Sequence, residues 1–159
     1  MTPKSRPLSG RHSRTLAQPR RLTLDIGARQ EARVPSAPVD VGLDHVQVAA
    51  PAGCEPEARR FFGELLGLSE VEKPELLRTR GGVWFALGSE QLHIGVESGF
   101  SPAKKAHPAL RVSAMDLHRL AEALTAAGET VAWDEALPGN QRFYTSDPWG
   151  NRIELLASA

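Results

Sequence analysis

Apolar and polar positions alternate with period two through Leu43-Asp44-His45-Val46-Gln47-Val48-Ala49, which predicts a strand closed by Pro51 and Gly53. The period then changes. Ala58, Phe61, Phe62, Leu65 and Leu66 recur at helical spacing, Glu55 and Glu57 lie in the first turn, and Gly67 follows, so 55–66 is expected to be a helix. Short strands are expected at 69–72, 76–80, 83–87 and 91–96, with turns at Gly81-Gly82 and Gly88-Ser89. After a linker at 99–106 the pattern restarts. A strand is expected at 107–112 and a helix at 115–127, with Leu117, Leu120, Ala121 and Leu124 on one face and Gly128 as its stop. Strands at 130–133, 142–146 and 152–156 complete the chain. The last follows the turn formers Asp147-Pro148 and Gly150-Asn151.

This is one unit of strand, helix and three strands, written twice about 60 residues apart. Leu43-Asp44-His45-Val46 matches Lys105-Ala106-His107-Pro108, and Leu92-His93-Ile94 matches Ile153-Glu154-Leu155. The expected fold is α+β: two paired βαβββ modules, about 42–98 and 106–157, forming a curved eight-stranded mixed sheet. Its helices lie outside and a concave cleft inside.

Composition changes the picture at the N-terminus. Residues 1–40 carry seven arginines against Asp25, Glu31 and Asp40, with frequent Pro and Ser and no sustained apolar period. They read as a basic, disordered tail, with organelle targeting as the other reading, ahead of a folded domain at 41–159. The net charge of zero gives no field for nucleic acid, and no apolar run reaches membrane-spanning length. Cys54 is the single cysteine, which fits a reducing compartment and leads to the expectation of a cytoplasmic protein.

Four positions carry the candidate chemistry. His45 and His107 lie in the first strand of each module, and His93 and Glu154 in the last. Each has parity opposite to its apolar neighbours. If the apolar sets pack on the helices, three imidazoles and a carboxylate face the cleft, where Zn, Ni, Co, Mn or Fe as divalent ions would suit them. A lone strand histidine is as a rule a hydrogen-bonded or solvated residue; the repeat is what sets these four apart. His12 and His118 fall outside the pattern and read as solvated. By strand position Gln47, Trp84, Arg111, Arg142 and Tyr144, with Trp133, are candidate substrate-binding groups. Of Trp84 and Phe85, one belongs in the core. The 138–142 loop reads as a hairpin connection, with a lid as the other reading.

Residues 42–157 resemble the vicinal oxygen chelate superfamily, which includes glyoxalase I, fosfomycin-resistance thiol transferases, extradiol dioxygenases, methylmalonyl-CoA epimerase and bleomycin-resistance proteins. The carriers are Leu43-Asp44-His45-Val46, Phe61-Phe62-Gly63-Glu64-Leu65-Leu66-Gly67-Leu68, Ala106-His107-Pro108-Ala109-Leu110-Arg111-Val112 and above all Phe143-Tyr144-Thr145-Ser146-Asp147-Pro148-Trp149-Gly150-Asn151-Arg152-Ile153-Glu154-Leu155. The resemblance implies metal ligands at His45, His107 and Glu154. His93 falls where glyoxalase I and the epimerases place a glutamate, which leaves Glu154 as the one metal-bound carboxylate able to act as catalytic base. Three functions follow as expectations. The first is a metal-dependent lyase, isomerase or thiol transferase acting on a small oxygen-chelating substrate. The second is an Fe(II) extradiol dioxygenase. The third is a metal-free binding protein of the bleomycin-resistance kind. Superfamily members often form homodimers, so the modules are expected to pair within one chain or between two.

Overall fold

The computed structural model describes residues 38–158. The basic segment 1–37 lies outside the described residues, and the folded unit is Asp40–Ala159.

Module one comprises β1 (His45–Ala50), α1 (Glu55–Ala58, continuing as a π-helical segment Arg59–Leu65), β2 (Glu70–Val71), α2 (Glu75–Arg78), β3 (Val83–Leu87) and β4 (Glu90–Val96). Module two comprises β5 (Ala109–Arg111), α3 (Ala114–Ala126), β6 (Ala132–Trp133), β7 (Asn140–Ser146) and β8 (Arg152–Ser158). Each module is a four-stranded mixed sheet, in the orders β1-β4-β3-β2 and β5-β8-β7-β6. The first strand of each pairs in parallel with the last, and the remaining pairs are antiparallel.

The paired βαβββ plan is therefore present, but the single eight-stranded sheet is not: no strand ladder joins β1 to β5. The two edges nevertheless flank the same clefts. Leu43 faces Ala109, Leu110, Arg111 and Val112 across an apolar cleft of about 480 Å³. Gln47, Val48 and Ala49 face Ala106, His107 and Pro108 across one of about 270 Å³.

A second correction concerns 76–80, expected as a strand and found as the short helix α2. Pro74 is extended at φ −51°, ψ 138° and starts the turn, while Glu75 and Arg78 sit at the helix ends that favour their charges. Leu76 is 90% exposed, so the apolar pair there does not mark a buried strand.

The core forms where the predicted apolar faces meet the helices. Val48, Phe61, Phe62, Phe85, Leu92 and Ile94 from module one join Leu110, Leu117, Leu124, Phe143, Ile153 and Leu155 from module two. Phe85 is fully buried while Trp84, on the other face, is half-buried. Cys54 is buried just before α1, and burial pushes its thiol up, away from reactivity. Among the described residues no helix is long and apolar enough to cross a membrane.

The turn 147–151 joins the modules. Asp147 is buried and its carboxylate accepts from the backbone N–H of Trp149 and Asn151 and from Asn151 Nδ2. Asn151 Nδ2 also donates to the carbonyl of Ala49 at the end of β1, and its Oδ1 accepts from the N–H of Ala103 in the linker. Gly150 takes φ +89°, which the turn requires and side chains resist.

Candidate functional site

Strand parity puts His45, His93 and Glu154 on the faces turned away from the helices, whereas His107, expected in a strand over 107–112, lies two residues before β5 (Ala109–Arg111). In β8, Glu154 lies between the core residues Ile153 and Leu155. It is opposite Tyr144 of β7 and Ala109 of β5. In β4, His93 lies between Leu92 and Ile94, opposite Trp84 of β3 and Gln47 of β1.

The structure brings these residues together as two pairs. In module two, His107 Nε2 is 2.9 Å from Glu154 Oε2. Glu154 is 6% exposed, and its other oxygen accepts from Arg142 Nη1 at 3.1 Å. Arg142 in turn donates to Asp134 Oδ1 through Nε and Nη2. Asp134 also accepts from the N–H of Ala136, and these two donors hold its carboxyl below the usual range. Tyr144 is the hub of this face: His107 meets its ring edge-on at 5.6 Å, while Arg142 and Arg152 lie 5.5 and 4.9 Å from its centre.

The tautomer of His107 is constrained. Its Nδ1 lies 2.8 Å from the carbonyl of Lys105. Carbonyl and carboxylate oxygens only accept, so Nδ1 carries a proton. Nε2 then faces Glu154 with either a second proton or a bound cation between them.

In module one, the His93 ring is sandwiched between Trp84, 3.9 Å away and 6° from parallel, and His45, 4.2 Å away. Burial first, and the neighbouring His45 second, lower the pKa of His93 and favour its neutral form. His93 Nε2 lies 2.8 Å from Gln91 Oε1, and His45 Nδ1 lies 2.6 Å from Asp44 Oδ1. Asp44 accepts the proton on His45 Nδ1, which leaves the Nε2 lone pair of that ring for a cation. This pair lines a cleft of about 410 Å³ with Lys73, Trp84 and Gln47.

The two pairs stand on separate sheets. Among the described residues no three His, Cys, Asp or Glu side chains are grouped closely enough to hold one ion. Gln47 is the link, because it lines both the His45–His93 cleft and the cleft that contains His107. It packs so closely on Gly95 that a Cβ there would come within 2.7 Å of its amide.

The other predicted residues divide. Trp84, Arg142 and Tyr144 join the pairs. Arg111 points to the rim: it is exposed, donates to Ser158 Oγ and lines the apolar cleft. Trp133 is exposed beside His118 on the far edge, and the 134–139 segment is an ordinary connection from β6 to β7. The sequence reading missed Asp134, whose role depends on a contact across β6 and β7. It also missed Arg152, whose parity with Glu154 was available.

A helix-backed pair of βαβββ modules with imidazole and carboxylate groups on the open faces defines a vicinal oxygen chelate protein. A crystal structure assigned to the glyoxalase family, from Bacillus anthracis, is 50% identical to this chain, with a TM-score of 0.73 over 77% of this chain and 99% of that one. The chain belongs to the glyoxalase family of that superfamily. Two more distant structures share the fold. The fosfomycin resistance protein FosX from Listeria monocytogenes is 15% identical, with a TM-score of 0.60 over 76% of this chain and 96% of that one. Lactoylglutathione lyase from Agrobacterium tumefaciens is 19% identical, with a TM-score of 0.57 over 79% and 96%. No protein-family model and no curated protein sequence matches the chain.

Proposed function

We propose that the protein is a divalent-metal-dependent enzyme of glyoxalase type, a lyase, isomerase or thiol transferase, acting on a small substrate with two neighbouring oxygens. His45, His93, His107 and Glu154 would hold the ion. The observation that carries this reading is the His107–Glu154 pair: a buried carboxylate on the open face of β8 and a half-buried imidazole, with a ring nitrogen and an oxygen placed to share one cation. Their 2.9 Å separation also fits the roughly 3 Å expected for adjacent ligands bound at about 2.0–2.2 Å to one ion. The His₃Glu donor set suits Zn, Ni, Co, Mn or Fe. When bound, such an ion supplies Lewis-acid stabilisation of a developing enolate or alkoxide.

The protein groups have separate tasks. Arg142 holds Glu154 Oε1, so Oε2 is the oxygen left for a ligand or for a proton taken from substrate. Lys105 fixes the His107 ring through Nδ1, as Asp44 does for His45. Joining the two pairs on one ion requires the unpaired edges of β1 and β5 to close on each other, within one chain or between two copies.

One feature favours a second reading. The Trp84–His93–His45 stack would accept a planar ligand without any metal. Metal analysis of untagged protein, with sedimentation to give the ions per chain, separates the two. The enzyme reading expects one ion per site, lost in His107→Ala. Metal-free protein whose ligand binding survives His107→Ala would establish the second reading.

A further inference from the structure

We infer that Arg152 receives a carboxylate or phosphonate group of the substrate, which makes the substrate of this site an anion; this rests on the reading just given. Arg152 lies two residues before Glu154 on β8 and therefore on the same sheet face. Its guanidinium rests 4.9 Å from the centre of the Tyr144 ring. It lines the 270 Å³ cleft together with His107 and Gln47.

Three other cations near this face have partners. Arg142 is held by Asp134 and Glu154, Arg111 donates to Ser158, and Lys104 donates to the carbonyl of Gly150. Among the described residues no ion pair involves Arg152. The exposed Glu97 lines the same cleft but does not pair with it. A half-buried guanidinium steadied against an aromatic ring keeps its donor fork preorganised for a two-oxygen anion. Module one supplies the contrast. Gln91, two residues before His93, is neutral and its amide lies 2.8 Å from His93 Nε2. The anion-binding half of the site is thus module two.

The test uses lactate and propane-1,2-diol, which share neighbouring oxygens and differ in charge, with dissociation constants taken from NMR titration. The wild type is expected to prefer lactate by about 10- to 100-fold, the range for one charge-assisted contact. Arg152→Gln should bring that ratio close to one, and Arg152→Lys should restore part of it, since charge returns without the fork. Arg111→Gln should keep it. Equal thermal midpoints would show that the variants fold. A wild type without preference, a preference that survives Arg152→Gln, or one lost only in Arg111→Gln would overturn the assignment. Metal titration of the same samples separates the two readings. If the wild type takes up no ion, the metal reading fails, while the lactate ratio in metal-free protein still decides the role of Arg152.

Discussion

In module one Trp84 stands across from His93; at the equivalent place in module two Tyr144 stands across from Glu154. The same backbone plan thus supports two different environments. In module one the ligand-type residue is packed between flat rings, which with its burial favours its neutral form, has the Gln91 amide at its edge, and shares its cleft with Lys73. In module two it is a carboxylate set among an imidazole and two guanidinium groups. Registry shows how the difference arises. Gly82 precedes Trp84 by two residues and leaves that position bare, whereas Arg142 precedes Tyr144 by two and reaches Glu154. A side chain at Gly82 is excluded in any case, because a Cβ would lie 2.1 Å from the carbonyl of Ile94. The backbone approach that closes the first sheet keeps a cation out of this strand position, and Lys73 instead lies over the Trp84 ring at 5.9 Å. The comparison assigns the buried charge to module two, and ring packing to module one.

The sharpest way to break that assignment is to remove the proposed ligands from one module at a time. Glu154→Ala and His107→Ala are each expected to weaken divalent-metal binding by at least about 100-fold, at or above the upper end of what loss of a supporting partner costs. His93→Ala is expected to cost less, because its ring also serves the stack. Calorimetric titration with Zn²⁺ or Co²⁺ ranks the three variants. An equal loss in all of them would mean that the modules contribute alike.

Asn151 provides the next largest effect, because it is where the modules hold each other. Its buried amide joins the turn, the linker and the end of β1. Asn151→Ala leaves the Ala49 carbonyl, the Ala103 N–H and one Asp147 oxygen short of a partner, and should cost about 2–4 kcal/mol in chemical denaturation. Loss of the single transition, with one half unfolding before the other, would show that Asn151 is what makes the two modules cooperative.

Much of this comparison was legible from the residues. Parity alone put His45, His93 and Glu154 on the faces opposite the core, because a period of two fixes the direction of each side chain once the apolar set is buried, while His107 sits just before β5, outside that argument. The pairing of first strand with last in each repeat then placed His45 near His93 and His107 near Glu154. The gap between the sheets was not legible. Whether two edge strands form a ladder depends on spacing across the chain, and neither β1 nor β5 carries a residue that forbids it. Strand 76–80 failed for a local reason: Leu76 and Leu77 gave an apolar signal, but Pro74 and the charges at both ends favour a turn of helix. Asp134 was invisible because its significance lies in a contact with Arg142 across a hairpin.

A smaller effect of the opposite sign tests the core beneath each site. Phe85 follows Trp84 and is fully buried; Thr145 follows Tyr144, is 3% exposed, and its hydroxyl has no partner. Thr145→Val keeps the shape and removes the unsatisfied group, so it should stabilise the protein by about 1 kcal/mol. A thermal midpoint that falls instead would mean that the hydroxyl has a partner such as water.

The smallest effect concerns module one alone. Glu55, in the first turn of α1, accepts the backbone N–H of Gly82 at 2.6 Å and so ties the helix to the start of β3. That hydrogen bond, and next its own backbone N–H, hold the Glu55 carboxyl below the usual range. A carboxylate with a lowered folded pKa binds fewer protons in the folded chain than in the unfolded one. Its contribution is therefore complete above the ordinary carboxylate range near pH 4 and is lost as the pH falls through the folded value. Glu55→Gln should cost roughly 0.5–1 kcal/mol at pH 7, and the difference from wild type should shrink towards zero at a pH below the folded value. Denaturation curves at the two pH values measure it. A difference that stays constant with pH would assign the contact to shape rather than charge. The tie between α1 and β3 would then give module one no electrostatic support, and the contrast with Arg142 and Glu154 in module two would be sharper still.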